Sequence, residues 1–148
     1  MTTVSPYLIF EGNCEEALNF YKDCFDGVVP YISRYKDYKD NSLPHITEDM
    51  DNKIMHTRLE FDNVVLMMAD NDLPNINYAD NNLRKGVSLN LNYVDVEKMA
   101  MQFDKLKVGG TVTFELQDAF WGDRFGMLTD KYGFIWMMNC PLDKSENV

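Results

Sequence analysis

Apolar positions along this chain switch from a period of two to a period near 3.6, and they do so twice in the same order. The short apolar run Leu8 to Phe10 precedes Cys14, Ala17, Leu18, Tyr21 and Phe25, which recur at helical spacing. Leu89 to Leu91 likewise precedes Val96, Met99, Ala100, Phe103 and Leu106. Asn13 and Glu16 have the spacing of a capping box at the first helix, and Asp95 caps the second. Asp26-Gly27 and Gly109-Gly110 supply the stops. Later in each half a turn dipeptide leads into three apolar residues and a Met-Met pair. These are Asp62-Asn63-Val64-Val65-Leu66-Met67-Met68 and Tyr132-Gly133-Phe134-Ile135-Trp136-Met137-Met138. The echo spans about half the chain, too long a period for a solenoid, and says that one supersecondary unit has been used twice.

The remaining periodicity predicts strands at 7–10, 28–35, 54–61 and 64–69 around the first helix. Around the second helix it predicts strands at 87–93, 111–116, 125–129 and 134–139. Asp62-Asn63 and Lys131-Tyr132-Gly133 read as hairpin turns. The polar stretches 36–52, which contains Pro44, and 71–85 read as loops. Each half is then strand, helix and three strands. Two βαβββ modules with one-sided helices predict an α+β domain, helices outside and sheets curled around a central cleft. The expected organisation is one domain over 1–148, with modules at about 4–70 and 86–140.

Composition narrows the partners. A chain of 148 residues with 45% hydrophobic and 13% aromatic residues can bury a sizeable core. A net charge of −10 disfavours phosphate backbones and anionic lipid, so nucleic acid and membranes are poor partners. No apolar run is long enough to span a bilayer, and the first residues lack the pattern of a signal peptide. Cys14, Cys24 and Cys140 are odd in number and lack metal-type spacing, which suits free thiols in a reducing compartment. A cytoplasmic location is expected.

Several segments run in a recognisable order. They are Pro6-Tyr7-Leu8-Ile9-Phe10-Glu11-Gly12-Asn13-Cys14-Glu15-Glu16-Ala17-Leu18-Asn19-Phe20-Tyr21, Lys53-Ile54-Met55-His56, and Trp121-Gly122-Asp123-Arg124-Phe125-Gly126. Thr129-Asp130-Lys131-Tyr132-Gly133 and Trp136-Met137-Met138-Asn139 complete the series. Together they resemble the PhnB-like branch of the vicinal oxygen chelate superfamily, which includes glyoxalases, bleomycin-resistance proteins and extradiol dioxygenases. The resemblance implies the paired βαβββ fold, a small-molecule cleft and a homodimer. Some members of that branch carry a demethylubiquinone methyltransferase name, but this chain has no Gly-rich nucleotide fingerprint to accompany it.

Metal-dependent members of the superfamily take ligands from the first and last strand of each module. The resemblance carries those positions onto Pro6, Met67, Ser88 and Met137. None is a His, carboxylate or thiolate donor, so no metal and no cofactor is expected. Strand alternation suggests what fills the cleft instead. Leu8, Met67, Ile135 and Met137 would give apolar lining, and Ser88, Asn90, Asn92 and Asn139 polar groups. On the third strand, Met55, Thr57, Leu59 and Phe61 would share the core face, leaving His56, Arg58 and Glu60 outward. His56 could act as a general base or be a structural histidine, with Glu60 the second catalytic candidate. Arg58 and Glu60 could equally pair, and His45 lies in a polar loop. Cys14 belongs to the core stripe. Trp121 could close over a ligand, plug a hinge or contact a second copy.

Two classes of function follow. In the first, the protein binds or transforms a small organic molecule without a catalytic metal, contacting His56, Glu60, Met67, Ser88, Asn90, Trp121, Met137 and Asn139. In the second, it sequesters a small, cationic drug or metabolite without chemistry, as the bleomycin-resistance branch does. A metal-dependent glyoxalase or dioxygenase is the weakest reading.

Overall fold

The doubled pattern becomes a doubled structure. The computed structural model describes residues 1–38 and 46–142, and its contacts divide into two units, Met1–Leu83 and Arg84–Val148. The first unit contains β1 (Tyr7–Phe10), α1 (Cys14–Phe25), β2 (Ile32–Arg34), β3 (Ile54–Phe61) and β4 (Val64–Asp70). Its sheet has the order β1-β4-β3-β2, with β1 parallel to β4 and the other pairs antiparallel. A short helix, α2 (Asn81–Arg84), follows. The second unit contains β5 (Ser88–Asn92), α3 (Val96–Leu106), β6 (Thr111–Asp118), β7 (Asp123–Thr129) and β8 (Ile135–Pro141). Its sheet has the corresponding order β5-β8-β7-β6, again with the first and last strands parallel. The fold is α+β, and each unit is one βαβββ module.

Each helix buries its predicted stripe on its own sheet. Ala17, Leu18, Tyr21 and Phe25 of α1 pack toward β3 and β4, where Leu59, Phe61, Leu66 and Met68 are buried. The Phe25 and Phe61 rings stack 4.3 Å apart. In the second unit Met99, Phe103 and Leu106 of α3 are buried, as are Leu128, Trp136 and Met138 on the strands. Gln102 joins that stripe because the Tyr93 hydroxyl donates to its side-chain oxygen. Burial of this kind contributes roughly 1.5–3 kcal/mol per large apolar side chain. At the end of α1, Asp26 takes the left-handed conformation, φ 51°, that a glycine usually supplies. Gly27 is needed for space: a Cβ there would lie 2.6 Å from Leu59 Cδ1.

The expected elements are all present, with four local corrections. The strand expected at 28–35 reduces to β2 plus a single bridge from Val28 to Glu60. The loop expected at 36–52 carries 3-10 turns at Tyr35–Tyr38 and Glu48–Met50, and α2 forms within 71–85. Pro44 and His45 lie outside the described residues. Asn13 precedes α1 but makes no side-chain capping bond, so the expected capping box does not form. Asp95 does cap α3, accepting hydrogen bonds from the Glu97 and Lys98 amides.

Candidate functional site

Alternation decides which side chains of the first sheet escape the core. On β1, Leu8 and Phe10 are buried beneath the helix and Tyr7 and Ile9 take the other face. Leu8 therefore packs in the core, contrary to its expected place in the cleft. The run Tyr-Leu-Ile-Phe is apolar on both sides and carries no phase signal. On β3 the register with β2 slips between Ser33 and Arg34. Thr57 stays inward with Leu59 and Phe61, while the irregularity turns Ile54 inward as well and leaves Met55 on the open side with His56. Met55 is thus not the core residue that strict alternation predicts. Arg58, Glu60 and Met67 share the open face, with Met67 paired to Tyr7 and Arg58 in register.

The open face has its own chemistry. His56 Nδ1 shares a 2.9 Å hydrogen bond with the Tyr7 hydroxyl. Its ring lies 5.6 Å from both the Tyr7 and Tyr31 rings. Burial, followed by the charges of Cys14, Tyr31 and Asp72, raises the Tyr7 pKa above the ordinary phenol value. The contact forms with either ring tautomer, since the Tyr7 hydroxyl can donate to a bare Nδ1 or accept from an Nδ1–H. Arg58 and Glu60 form an ion pair beside it. Where β4 ends, Asn71 organises the following segment by bonding to Glu11, Leu73 and Ile76. A cavity of about 190 Å3 opens there, walled by Tyr7, Ile9, Tyr35, Met55, Asp72 and Tyr78 among others. No sequence signal marked it, because one wall is a loop.

On the second sheet Ser88, Asn90 and Asn92 are exposed, and Leu91 is buried on the helix side. Ile135, Met137 and Asn139 occupy the half-buried face of β8, while Trp136, Met138 and Cys140 are buried. Asn90 donates to Asn92, and Asn139 donates to Asp123 over 3.1 Å in each case. Trp121 sits in the turn between β6 and β7, 51% exposed, with its ring edge-on to Phe120 and Phe125. His56, Glu60 and Met67 thus share the first unit's sheet, and Ser88, Asn90, Met137, Asn139 and the Trp121 turn belong to the second unit.

Two buried carboxylates carry structural work that sequence reading missed. Asp70, 3% exposed, accepts the Cys14 amide through Oδ1 and the Ile54 amide through Oδ2, each at 2.9 Å. It replaces the absent Asn13 cap. Asp130 accepts the amides of Tyr132 and Phe134 and the Trp136 indole Nε1–H. Cys14 is core as expected. Burial, Asp70 and Glu15 push its thiol pKa well above the ordinary range, the opposite of an activated nucleophile.

The positions that the resemblance assigns to a metal offer poor donors. Pro6 has only its backbone carbonyl, which accepts the Met67 amide at 3.0 Å. Met67 and Met137 bring thioethers and Ser88 a neutral hydroxyl, so this set does not fit a hard divalent ion. Among the described residues no three His, Cys, Asp or Glu side chains form a group able to hold a metal.

Repeated βαβββ units, with strands ordered first, last, third, second, define the vicinal oxygen chelate fold. A glyoxylase/bleomycin resistance protein/dioxygenase domain from Frankia sp. shares it at TM-score 0.67, covering 100% of this chain and 99% of its own. At 11% identity that likeness concerns the fold alone. The family model described as 3-demethylubiquinone-9 3-methyltransferase matches residues 2–139, and the chain belongs to this PhnB-like family. The Pseudomonas aeruginosa protein PA1353 is 35% identical at TM-score 0.80, over 97% of this chain and 100% of its own. The PhnB protein of Bacillus cereus is 26% identical at TM-score 0.72, over 94% and 99%.

Proposed function

We propose that this protein binds a small organic molecule on the open faces of its sheets and needs no catalytic metal to do so. The arrangement of His56 carries the reading: a half-buried imidazole bonded to Tyr7, beside the Arg58–Glu60 pair and the apolar Met67. Apolar Met55 and Met67 lie among polar groups that can orient a ligand, the combination small-molecule sites use. His56 and Glu60 are the groups able to move a proton there. Met67 is the further proposed contact on the first unit's sheet, and Ser88, Asn90, Trp121, Met137 and Asn139 are the proposed contacts on the second unit. Methyl transfer, which the family description names, gains no support from the strand-to-helix turns. The β1–α1 turn Glu11-Gly12-Asn13 holds a single glycine, and the β5–α3 turn Tyr93-Val94-Asp95 none, so neither is a glycine-rich cradle for a nucleoside-bearing donor. Retention without chemistry is the second reading, favoured by the net charge of −10 if the ligand is a cation.

Native mass spectrometry of freshly purified protein tests this reading. We expect an added small-molecule mass, and a homodimer, since the eight-residue β6 is an edge strand of its sheet. Loss of all ligand signal at every salt concentration, together with a monomer mass, would count against both. Elemental analysis after mild dialysis should find far less than one Zn, Ni, Mn or Fe per chain. A stoichiometric metal overturns the donor argument.

With a ligand in hand, Trp121→Ala should weaken binding by roughly 1–3 kcal/mol if the indole closes over it. His56→Gln keeps a partner for Tyr7, so it should leave stability within about 0.5 kcal/mol while lowering binding or turnover. Calorimetry on both variants decides. Unfolding of His56→Gln with unchanged affinity in Trp121→Ala would make both residues structural.

A further inference from the structure

The cavity at the end of β4 has an aromatic and acidic lining. Three of its lining residues are tyrosines, Tyr7, Tyr35 and Tyr78, and two are carboxylates, Asp70 and Asp72. Among the described residues no Lys, Arg or His lines it. Both Asp70 oxygens are engaged by backbone amides, so Asp70 is part of the wall. The Tyr35 hydroxyl donates to the Asp70 carbonyl at 2.7 Å, which commits its proton and leaves its oxygen lone pairs as acceptors. Ile9 and Met55 add apolar lining.

From this juxtaposition of tyrosine rings and Asp72 in one cavity, we propose that the first unit holds a binding pocket for a small organic cation, a protonated or quaternary amine. Aromatic faces attract cations through their quadrupoles, more strongly when water is excluded. A carboxylate adds attraction that a neutral ligand of the same shape does not feel. The Asp72 charge is felt by two of the lining tyrosines, contributing to the raised pKa of Tyr7 and of Tyr35. The volume, about 190 Å3, is below the roughly 300–1,000 Å3 of pockets that hold drug-sized ligands. That suits a trimethylammonium or alkylammonium head, not a whole drug. Tyr7, one of the lining residues, is bonded through its hydroxyl to His56 and so joins the cavity to that residue. The pocket rests on the reading of this face as a small-molecule site, and it supplies the charge selectivity that reading lacks.

The test compares choline with its neutral carbon isostere, 3,3-dimethylbutan-1-ol. Each is titrated into full-length protein carrying labelled methionine methyls and followed by NMR. Choline should shift the Met55 methyl saturably, with the alcohol binding about tenfold more weakly. Asp72→Asn and Tyr78→Leu should each weaken choline by about fivefold or more, with the buried Met68 and Met99 methyls unmoved as the check on folding. Equal affinity for the alcohol, or full choline affinity in either variant, overturns the cation assignment and leaves a neutral small-molecule site standing. No Met55 response to either probe overturns the pocket itself. A ligand retained in native mass spectrometry would then belong elsewhere on the sheets.

Discussion

Asp70→Ala should destabilise the protein by about 3–5 kcal/mol, the range for removing one member of a buried charge-assisted network. The carboxylate holds the first amide of α1 and the first amide of β3 at the same time. Without it, two buried N–H groups lose their acceptor, each at about 1–3 kcal/mol. Asp70→Asn should recover little, because its NH2 would face one of those two donors. The helix-start residues give the contrast. Asn13→Ala should cost less than about 0.5 kcal/mol, since its side chain caps nothing, and Asp95→Ala about 1 kcal/mol. Urea unfolding of the three variants ranks them. An Asp70→Ala cost no larger than that of Asp95→Ala would defeat the anchoring argument.

Alkaline pH should produce a loss of similar size. In the native state burial holds the Cys14 thiol proton, with Asp70 and Glu15 adding to it, so its pKa lies well above the ordinary 9.0. Burial, Asp72 and Asp70 raise Tyr35 above the ordinary 10.0 in the same way. The unfolded chain releases these protons at the ordinary values, whereas the native chain keeps them. Unfolding therefore releases protons, and stability falls as pH rises. The contribution is complete below about pH 9. Above it the slope approaches about 1.4 kcal/mol per pH unit from Cys14, and doubles past about pH 10 as Tyr35 joins. By pH 11 the loss should reach about 4 kcal/mol. Denaturation profiles of the wild type and Cys14→Ala between pH 8 and 11 check it, and the variant should be flatter between 9 and 10. A wild-type profile flat to pH 11 would show that these protons are not held.

The parts of the fold that were legible are those encoded by neighbours in sequence. The α1 and α3 stripes, the Asp95 cap and the Asp62-Asn63 hairpin are local, and each appears where the residues place it. The row His56, Arg58, Glu60 was readable because polar and apolar residues truly alternate there. Leu8 was not, because both faces of β1 are apolar. Met55 was misplaced because a register slip against β2 cannot be seen in one strand alone. Asp70 was missed for a different reason: its partner amide on Cys14 is 56 residues away. Of the positions that the resemblance assigns to a metal, Pro6 spends its backbone carbonyl on the sheet, which no reading of residue types could show. The aromatic cavity escaped notice because Asn71 folds its wall through contacts with Glu11 and its own loop.

The two modules share a strand order, yet they should not breathe alike. In the first, one carboxylate joins the start of α1 to the start of β3, so neither amide can exchange with solvent unless that joint parts. Fraying at the N-terminus of α1 is thereby tied to a larger cooperative opening of its sheet. In the second, α3 is capped locally by Asp95 immediately before it, so its first turn should open without parting the sheet. The duplicated sequence thus yields one module whose helix moves with its sheet and one whose helix keeps its own clock.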